Sequence, residues 1–248
     1  MKKFNFCVSM STIPTRVKNI NDVLQNINDQ SVKPSKIFLN IPYKYKRFNN
    51  HNITDSELEN INKDNLEITR CDDYGPGTKV MGSLAKIRKY DYVILLDDDH
   101  IYDLNICKIF LESYKKEQVN YSFYLNKIFN IKMGQCADGF LINTELLSEV
   151  EHFFNSYVKN NLNMFMDDDL WLAIYLQREK KSVIKNLILD YKKVTNKDVI
   201  YEKNINSAID GLHLTVHKDR FFINRRKIQK IEYIKYTLKK FLKSIKVF

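Results

Sequence analysis

A chain of 248 residues has room for one large α/β domain or two small ones. With 44% hydrophobic and 28% charged residues, and only 6 Gly and 4 Pro, its composition excludes a disordered or linker-rich polypeptide. The formal net charge is +10, but residues 225–248 carry nine basic side chains against one acidic; the body is nearly neutral, which excludes a domain with a basic nucleic-acid-binding face.

Four cysteines, Cys7, Cys71, Cys107 and Cys136, are widely spaced with no CxxC pair. That spacing predicts buried free thiols rather than disulfides or zinc ligands. The first residues enter a strand without the apolar run of a signal peptide, and no stretch reaches the length of a membrane span. The expectation is a cytoplasmic protein.

Taken in chain order, residues 4–10 read as a first strand and 11–16 as a turn. Residues 17–28 read as a helix because Ile20, Val23, Leu24 and Ile27 recur on one face. A second strand over 36–41 ends at Pro42; a basic, aromatic loop over 43–52 and a short helix over 58–62 follow. A third strand over 66–71 leads into the turn 72–77, a helix over 79–88 and a strand over 92–96. This alternation is that of a parallel, nucleotide-binding type of sheet. Right-handed crossovers bring the turns 12–16, 72–79 and 97–99 to one sheet edge.

Beyond that edge the pattern gives a helix over 106–115, antiparallel strands over 119–125 and 128–132, and a small-residue turn over 134–142 that runs into a strand or helix start. Residues 144–158 read as mostly helical, 170–176 as a strongly apolar helix, 183–189 as a strand and 191–206 as a loop.

Two acidic triplets stand out. Asp97, Asp98 and Asp99 close the apolar strand, where an open α/β sheet binds its ligands. Three adjacent carboxylates repel, and a hard divalent cation that in turn holds a phosphate would neutralise them. Asp167, Asp168 and Asp169 open the apolar helix, where one carboxylate suffices as a cap and the others are left for another purpose. A carboxylate on a cation is a poor base, so proton abstraction needs a second one away from it.

Residues 8–16, the helix followed by Gln30 and Pro34, and the strand residues Ile37, Phe38, Leu39 and Asn40 resemble the start of GT-A fold glycosyltransferases of the family-2-like kind. Leu95 to Asp99 resembles their metal-binding DxD motif, and Asp167 to Leu172 their later acidic motif. The likeness runs over most of residues 4–220. It implies a single GT-A, Rossmann-like α/β domain over 1–224, with a mixed, mainly parallel sheet flanked by helices. Within it, 1–103 would bind the nucleotide sugar and 104–224 the acceptor.

The resemblance also implies roles. Asp97 and Asp99, completed by His213, would hold Mn²⁺ or Mg²⁺ and through it the diphosphate of a nucleotide-sugar donor, most simply a UDP-sugar. Asp98 would touch the ribose or sugar. Thr12, Pro14 and Arg16 would border the nucleotide, Asp72 or Asp73 the base or ribose, and Gly75 and Lys79 the donor. Asp138 and Gly139 resemble the loop under donor sugar and acceptor, and Trp171, in the later motif, would border the same sugars. Asp169 would be the base, with Asp168 its close competitor, and His217 competes with His213. The acceptor would be a hydroxyl of a glycan or glycoconjugate, attacked in a single inverting displacement.

Residues 225–248 place Ile228, Ile231, Ile234, Leu238, Phe241, Leu242 and Ile245 at helical spacing among lysines, a basic amphipathic helix suited either to peripheral contact with an anionic membrane or to packing its apolar stripe on the domain with its lysines solvated. Two alternatives compete with the transferase. One is a Mg²⁺-dependent nucleotidyltransferase or phosphohydrolase, against which stands the lack of glycine in residues 9–16. The other is a non-catalytic membrane- or RNA-binding protein, opposed by the neutral body and the intact acidic clusters.

Overall fold

The computed structural model describes residues 4–49, 51–61, 65–128, 131–187 and 195–196. His213, His217 and the basic helix expected over 225–248 lie outside them. The first half follows the predicted alternation: β1 (Phe6–Ser11), α1 (Ile20–Asn28), β2 (Lys36–Pro42), α2 (Asp55–Leu58), β3 (Leu66–Cys71), α3 (Thr78–Met81), α4 (Leu84–Ile87) and β4 (Tyr92–Leu95). The second half adds β5 (Ile101–Tyr102), α5 (Ile106–Lys116), β6 (Asn120–Ser122), β7 (Leu125–Ile128), β8 (Ile131–Gly134) and β9 (Phe140–Asn143). It ends with α6 (Val150–Phe153), α7 (Leu162–Phe165), α8 (Asp168–Ile174), β10 (Ile184–Asn186) and β11 (Thr195–Asn196).

Seven strands form one mixed, mainly parallel sheet in the order β10-β6-β9-β4-β1-β2-β3. β1 pairs in parallel with β2 and β4, β2 with β3, and β10 with β6; β9 runs antiparallel between β4 and β6. Strand alternation splits the core into two layers. Val8, Met10, Leu39 and Ile94 face α1 and α5, whereas Cys7, Phe38, Val93 and Leu95 face the layer of α3, α4, α6 and α8. The predicted stripe of α1 is fully buried at Ile20, Val23, Leu24 and Ile27, each contributing about 1.5–3 kcal/mol of apolar transfer. All four cysteines are free and buried.

Three predicted elements change. The helix expected over 58–62 sits at α2 instead, because Thr54 and Glu57 form a reciprocal capping box one turn earlier. The single helix expected over 79–88 breaks into α3 and α4 at Gly82 and Ser83. There the chain passes so close to Asn40 that a Cβ on Gly82 would lie 2.8 Å from its Oδ1, and the Ser83 hydroxyl hydrogen-bonds the same oxygen. The antiparallel pair expected over 119–125 and 128–132 is redistributed. β6 joins the main sheet, the chain kinks where Ser122 Oγ donates to Tyr124 O at 2.9 Å, and β7 pairs with β8 as a separate hairpin. Among the described residues no helix is long and apolar enough to cross a membrane.

Candidate active site

The carboxyl ends of β1, β3 and β4 share one sheet edge, and the three predicted turns converge there. After β1, Ile13 O accepts from Arg16 N at 2.9 Å and Val17 N at 3.1 Å, which curls residues 13–17 and aims Arg16 across the sheet top. Its guanidinium holds Asp98 Oδ1 at 2.7 Å and Asp99 Oδ2 at 3.0 Å. Thr12 is buried beneath, its carbonyl accepting from Tyr45 Oη at 3.0 Å, and Pro14 lies half-buried in the turn.

After β3, the turn is held by Asp73, whose two oxygens accept from Gly75 N at 2.8 Å and Lys46 N at 2.7 Å. Gly75 takes φ +62°, and a Cβ there would lie 2.5 Å from Phe165 O, so only glycine fits. Asp73 is therefore spent on shaping the turn, while the neighbouring Asp72 is exposed. The turn delivers Lys79 into the interior. Its carbonyl is anchored by Ser9 Oγ at 2.5 Å, and Asn40 Nδ2 supports Ser9 at 3.0 Å. The Lys79 ammonium bridges Asp97 and Asp168, the latter at 3.1 Å. Burial opposes its charge, but Asp168 and Asp97 outweigh burial and hold the ammonium well above its ordinary range.

The strand-end triplet thus has a cation for each member. Asp97 pairs with Lys79, Asp98 with Arg16, and Asp99 with both Arg16 and His100 Nδ1, the latter at 2.7 Å. Burial pushes the buried Asp98 up despite Arg16. For Asp99 burial is outweighed by the His100 hydrogen bond and the Arg16 charge, which leave it below the usual carboxylate range. Asp97 is the open member, with 29% of its side chain exposed. Tyr102 pins its backbone, accepting from Asp97 N at 2.9 Å and donating to Asp97 O at 3.0 Å.

The second triplet arrives from the other half. Asp167 caps α8, accepting from Leu170 N at 3.1 Å. Asp168 faces Lys79, and Asp169 Oδ1 accepts from Cys136 N at 3.0 Å. Burial, and then the charge of Asp168, push Asp169 well above the ordinary carboxylate range. Asp168, Asp169 and the Cys136 thiol place ligand atoms within 4.8 Å of one another. Burial keeps that thiol protonated, so it is no ligand for a hard cation.

Asp138 closes the turn between β8 and β9 and contributes its charge to His100. Gly139 is a shape residue: it takes φ +94°, and a Cβ there would lie 2.9 Å from the Phe110 ring. Trp171 is fully buried, 5.6 Å from Phe154 and directly under Gly77, where a Cβ would meet it at 2.7 Å. Its place is the floor beneath the site, not a surface for a sugar. The sequence reading missed His100 and Tyr102, although both follow the triplet within three residues, and it missed the Asn40–Ser9 bracket, which only the packed sheet brings together.

The donor set fits a hard divalent cation. Asp97, Asp98, Asp99, Asp168 and Asp169 outnumber the cations Arg16, Lys79 and His100 that pair with them, and the Oδ2 atom of Asp98 is buried without a hydrogen-bond partner.

No family model matches the sequence, and the comparison with curated proteins finds no match. Solved structures share the fold. Residues 1–349 of S. aureus TarS superpose with a TM-score of 0.51 at 15% identity, over 92% of this chain and 77% of that one. A cytidylyltransferase from Leptospira borgpetersenii gives 0.50 at 13% identity, over 91% and 95%. The same TarS fragment has been crystallised with UDP-GlcNAc and with UDP. At these identities the likeness is one of fold, a GT-A-type fold common to glycosyltransferases and nucleotidyltransferases.

Proposed function

We propose that this protein transfers a sugar from a nucleoside-diphosphate donor, a UDP-sugar, to a hydroxyl of a glycan or glycoconjugate, with inversion at the anomeric carbon. The single observation that carries the reading is the Lys79 bridge, which joins a cation-rich carboxylate cluster at a strand end to a second carboxylate cluster on a helix N-terminus. The first has the charge pattern for a diphosphate and its counter-ion, the second the isolation for a base.

Asp97, through its exposed oxygen, and Asp99 would hold Mn²⁺ or Mg²⁺. That ion would supply charge stabilisation for the departing nucleoside diphosphate. Arg16 and His100 orient Asp99, and Tyr102 orients Asp97. Arg16 is the side chain suited to phosphate oxygens, because its fork of donors can share them with Asp98. Asp169, held by Cys136 N and raised in proton affinity, takes the acceptor's hydroxyl proton; Asp168, neutralised by Lys79, is the weaker candidate.

A nucleotidyltransferase has the same fold available to it. Residues 9–16 lack the glycine that would let a backbone loop wrap a triphosphate. The test is donor binding and hydrolysis across a panel of nucleotide sugars, with and without Mn²⁺, for wild type and Asp99→Ala. Metal-dependent binding of one donor, lost in the variant, supports the transferase. Release of pyrophosphate from a nucleoside triphosphate, with no donor bound, would replace it with the nucleotidyltransferase.

A further inference from the structure

A cavity of about 620 Å³ is walled by Asp72, Asp73 and Tyr74, the residues that lead into the Gly75–Gly77 turn. Its volume lies within the usual range for small-ligand sites, about 300–1,000 Å³. None of the residues of either acidic triplet lines it. Yet it is continuous with them along three stretches of chain. Phe165 in its wall stands two residues before Asp167. Tyr74 leads through the glycine turn to Lys79. Lys46 adjoins Arg47, a guanidinium that feels the charges of Asp73, Asp98 and Asp168.

The wall has two kinds of group. Tyr43, 60% exposed, and the half-buried Tyr74 turn aromatic faces to it, while Phe154 and Phe165 are buried in its floor, the latter beneath the Lys46 ammonium. Asp72, Glu151 and Asn155 offer oxygen and amide groups, and no described side chain hydrogen-bonds or ion-pairs with them. An exposed Tyr43 ring and a half-buried Tyr74, flanked by the exposed side chains of Asp72, Glu151 and Asn155, suit one chemistry in particular. A sugar ring lays its C–H face on the aromatic plane and turns its hydroxyls to acceptors and donors at the edge. Asp72, Asp73 and Glu151 match the lysines Lys44, Lys46 and Lys159 in number, so the lining carries no net charge to draw in an anion.

We infer that this cleft is the acceptor site and that it takes a hydroxyl-rich, uncharged sugar ring of a glycan chain, stacked on Tyr43 and hydrogen-bonded by Glu151 and Asn155. The inference rests on the transferase reading for its role but not for its binding chemistry. The segments that wall the cleft go on along the chain to present Lys79 and Asp169.

The experiment uses the full chain and fluorescently labelled cellotetraose, chitotetraose, maltotetraose and, as the anionic member, tetragalacturonate. Anisotropy is measured for wild type, Tyr43→Ala, Glu151→Gln and the distant exposed control Tyr124→Ala, with thermal unfolding to verify folding. The expected result is that a neutral tetrasaccharide binds wild type and the control alike and binds the two cleft variants about tenfold or more weakly. Three outcomes overturn the inference: no saccharide binds, the cleft variants bind as well as wild type, or tetragalacturonate alone binds. A parallel titration with UDP and Mn²⁺ separates the two readings. UDP binding with no saccharide binding sinks the cleft and spares the transferase. Displacement of the saccharide by UDP alone assigns the cleft to the nucleotide and sinks the inference. Saccharide binding in the cleft with no UDP binding keeps the cleft and sinks the transferase.

Discussion

The two acidic triplets have the same three residues and opposite surroundings. Asp97, Asp98 and Asp99 are neutralised by side-chain cations, Lys79, Arg16 and His100, and Asp97 is open to solvent. Asp167 and Asp169 are instead satisfied by backbone N–H groups of Leu170 and Cys136, and of this triplet Asp168 draws on Lys79. Side-chain partners on long arms can be exchanged for a charged ligand. Backbone partners cannot move without unfolding the helix start or the turn at Cys136. On the transferase reading, one cluster would trade its counter-ions and the other would hold a carboxylate still, where burial and Asp168 raise its proton affinity.

The strongest way to break that comparison is to remove one charge from each side. Asp169→Asn is expected to keep metal-dependent donor binding and to lose transfer by about 10²–10⁴-fold, the range for a general base. Asp97→Asn is expected to lose the binding itself. Calorimetry with UDP and Mn²⁺, set beside turnover, reads both; equal loss of binding in the two variants would erase the distinction between the clusters.

Next in size is the shared cation. Lys79→Met leaves Asp168 buried and facing Asp97 without a counter-charge, which is expected to cost about 3–5 kcal/mol of stability. Urea unfolding at neutral pH measures it. The double variant with Asp168→Asn should recover part of the loss; no recovery would mean that Lys79 stabilises by packing rather than by charge.

Much of this arrangement was legible before the structure. The strand-end triplet, the helix-opening triplet, Arg16 and Lys79 were all named, because apolar runs and turn residues fix where strands stop, and the crossover rule fixes which ends meet. Gly75, expected to approach the donor, is a packing residue against Phe165. Asp73, expected at the base or ribose, holds the turn. Trp171, expected to border a sugar, lies in the core. These residues share one cause: a polar or aromatic residue inside a motif looks functional in sequence, whereas its hydrogen bonds and burial depend on neighbours far along the chain. Lys46 lies 27 positions from Asp73, and Asn40 lies 31 from Ser9. The cleft was only outlined, as a basic, aromatic loop, because its second wall comes from residues 151–165 across the turn.

The helix-opening side also rests on that buried Trp171. Gly77→Ala would drive a Cβ to within 2.7 Å of the indole and is expected to cost about 1–3 kcal/mol by overpacking. The pH profile sharpens the same side. A base must be ionised, so transfer should rise with pH through the Asp169 pKa, which burial and the charge of Asp168 hold well above 3.8. Asp168→Asn removes the second of those causes, and the acid limb should move toward lower pH. A limb that stays in place would show that Asp169 is not the titrating base.

The smallest effect tests the strand-end side. Tyr102 Oη both accepts from and donates to the backbone of Asp97, so Tyr102→Phe removes two hydrogen bonds from the residue that presents the exposed carboxylate. Water can reach Asp97, and the net cost should stay near ~1 kcal/mol of stability. The consequence for binding is the sharper readout. If the triplet trades side-chain cations while its backbone is held fixed, loosening Asp97 should weaken Mn²⁺-dependent UDP binding several-fold while leaving metal-free binding unchanged. Unchanged affinity in both conditions would mean that Tyr102 merely fills space beneath the strand end, and that the cluster's order comes from Arg16 and His100 alone.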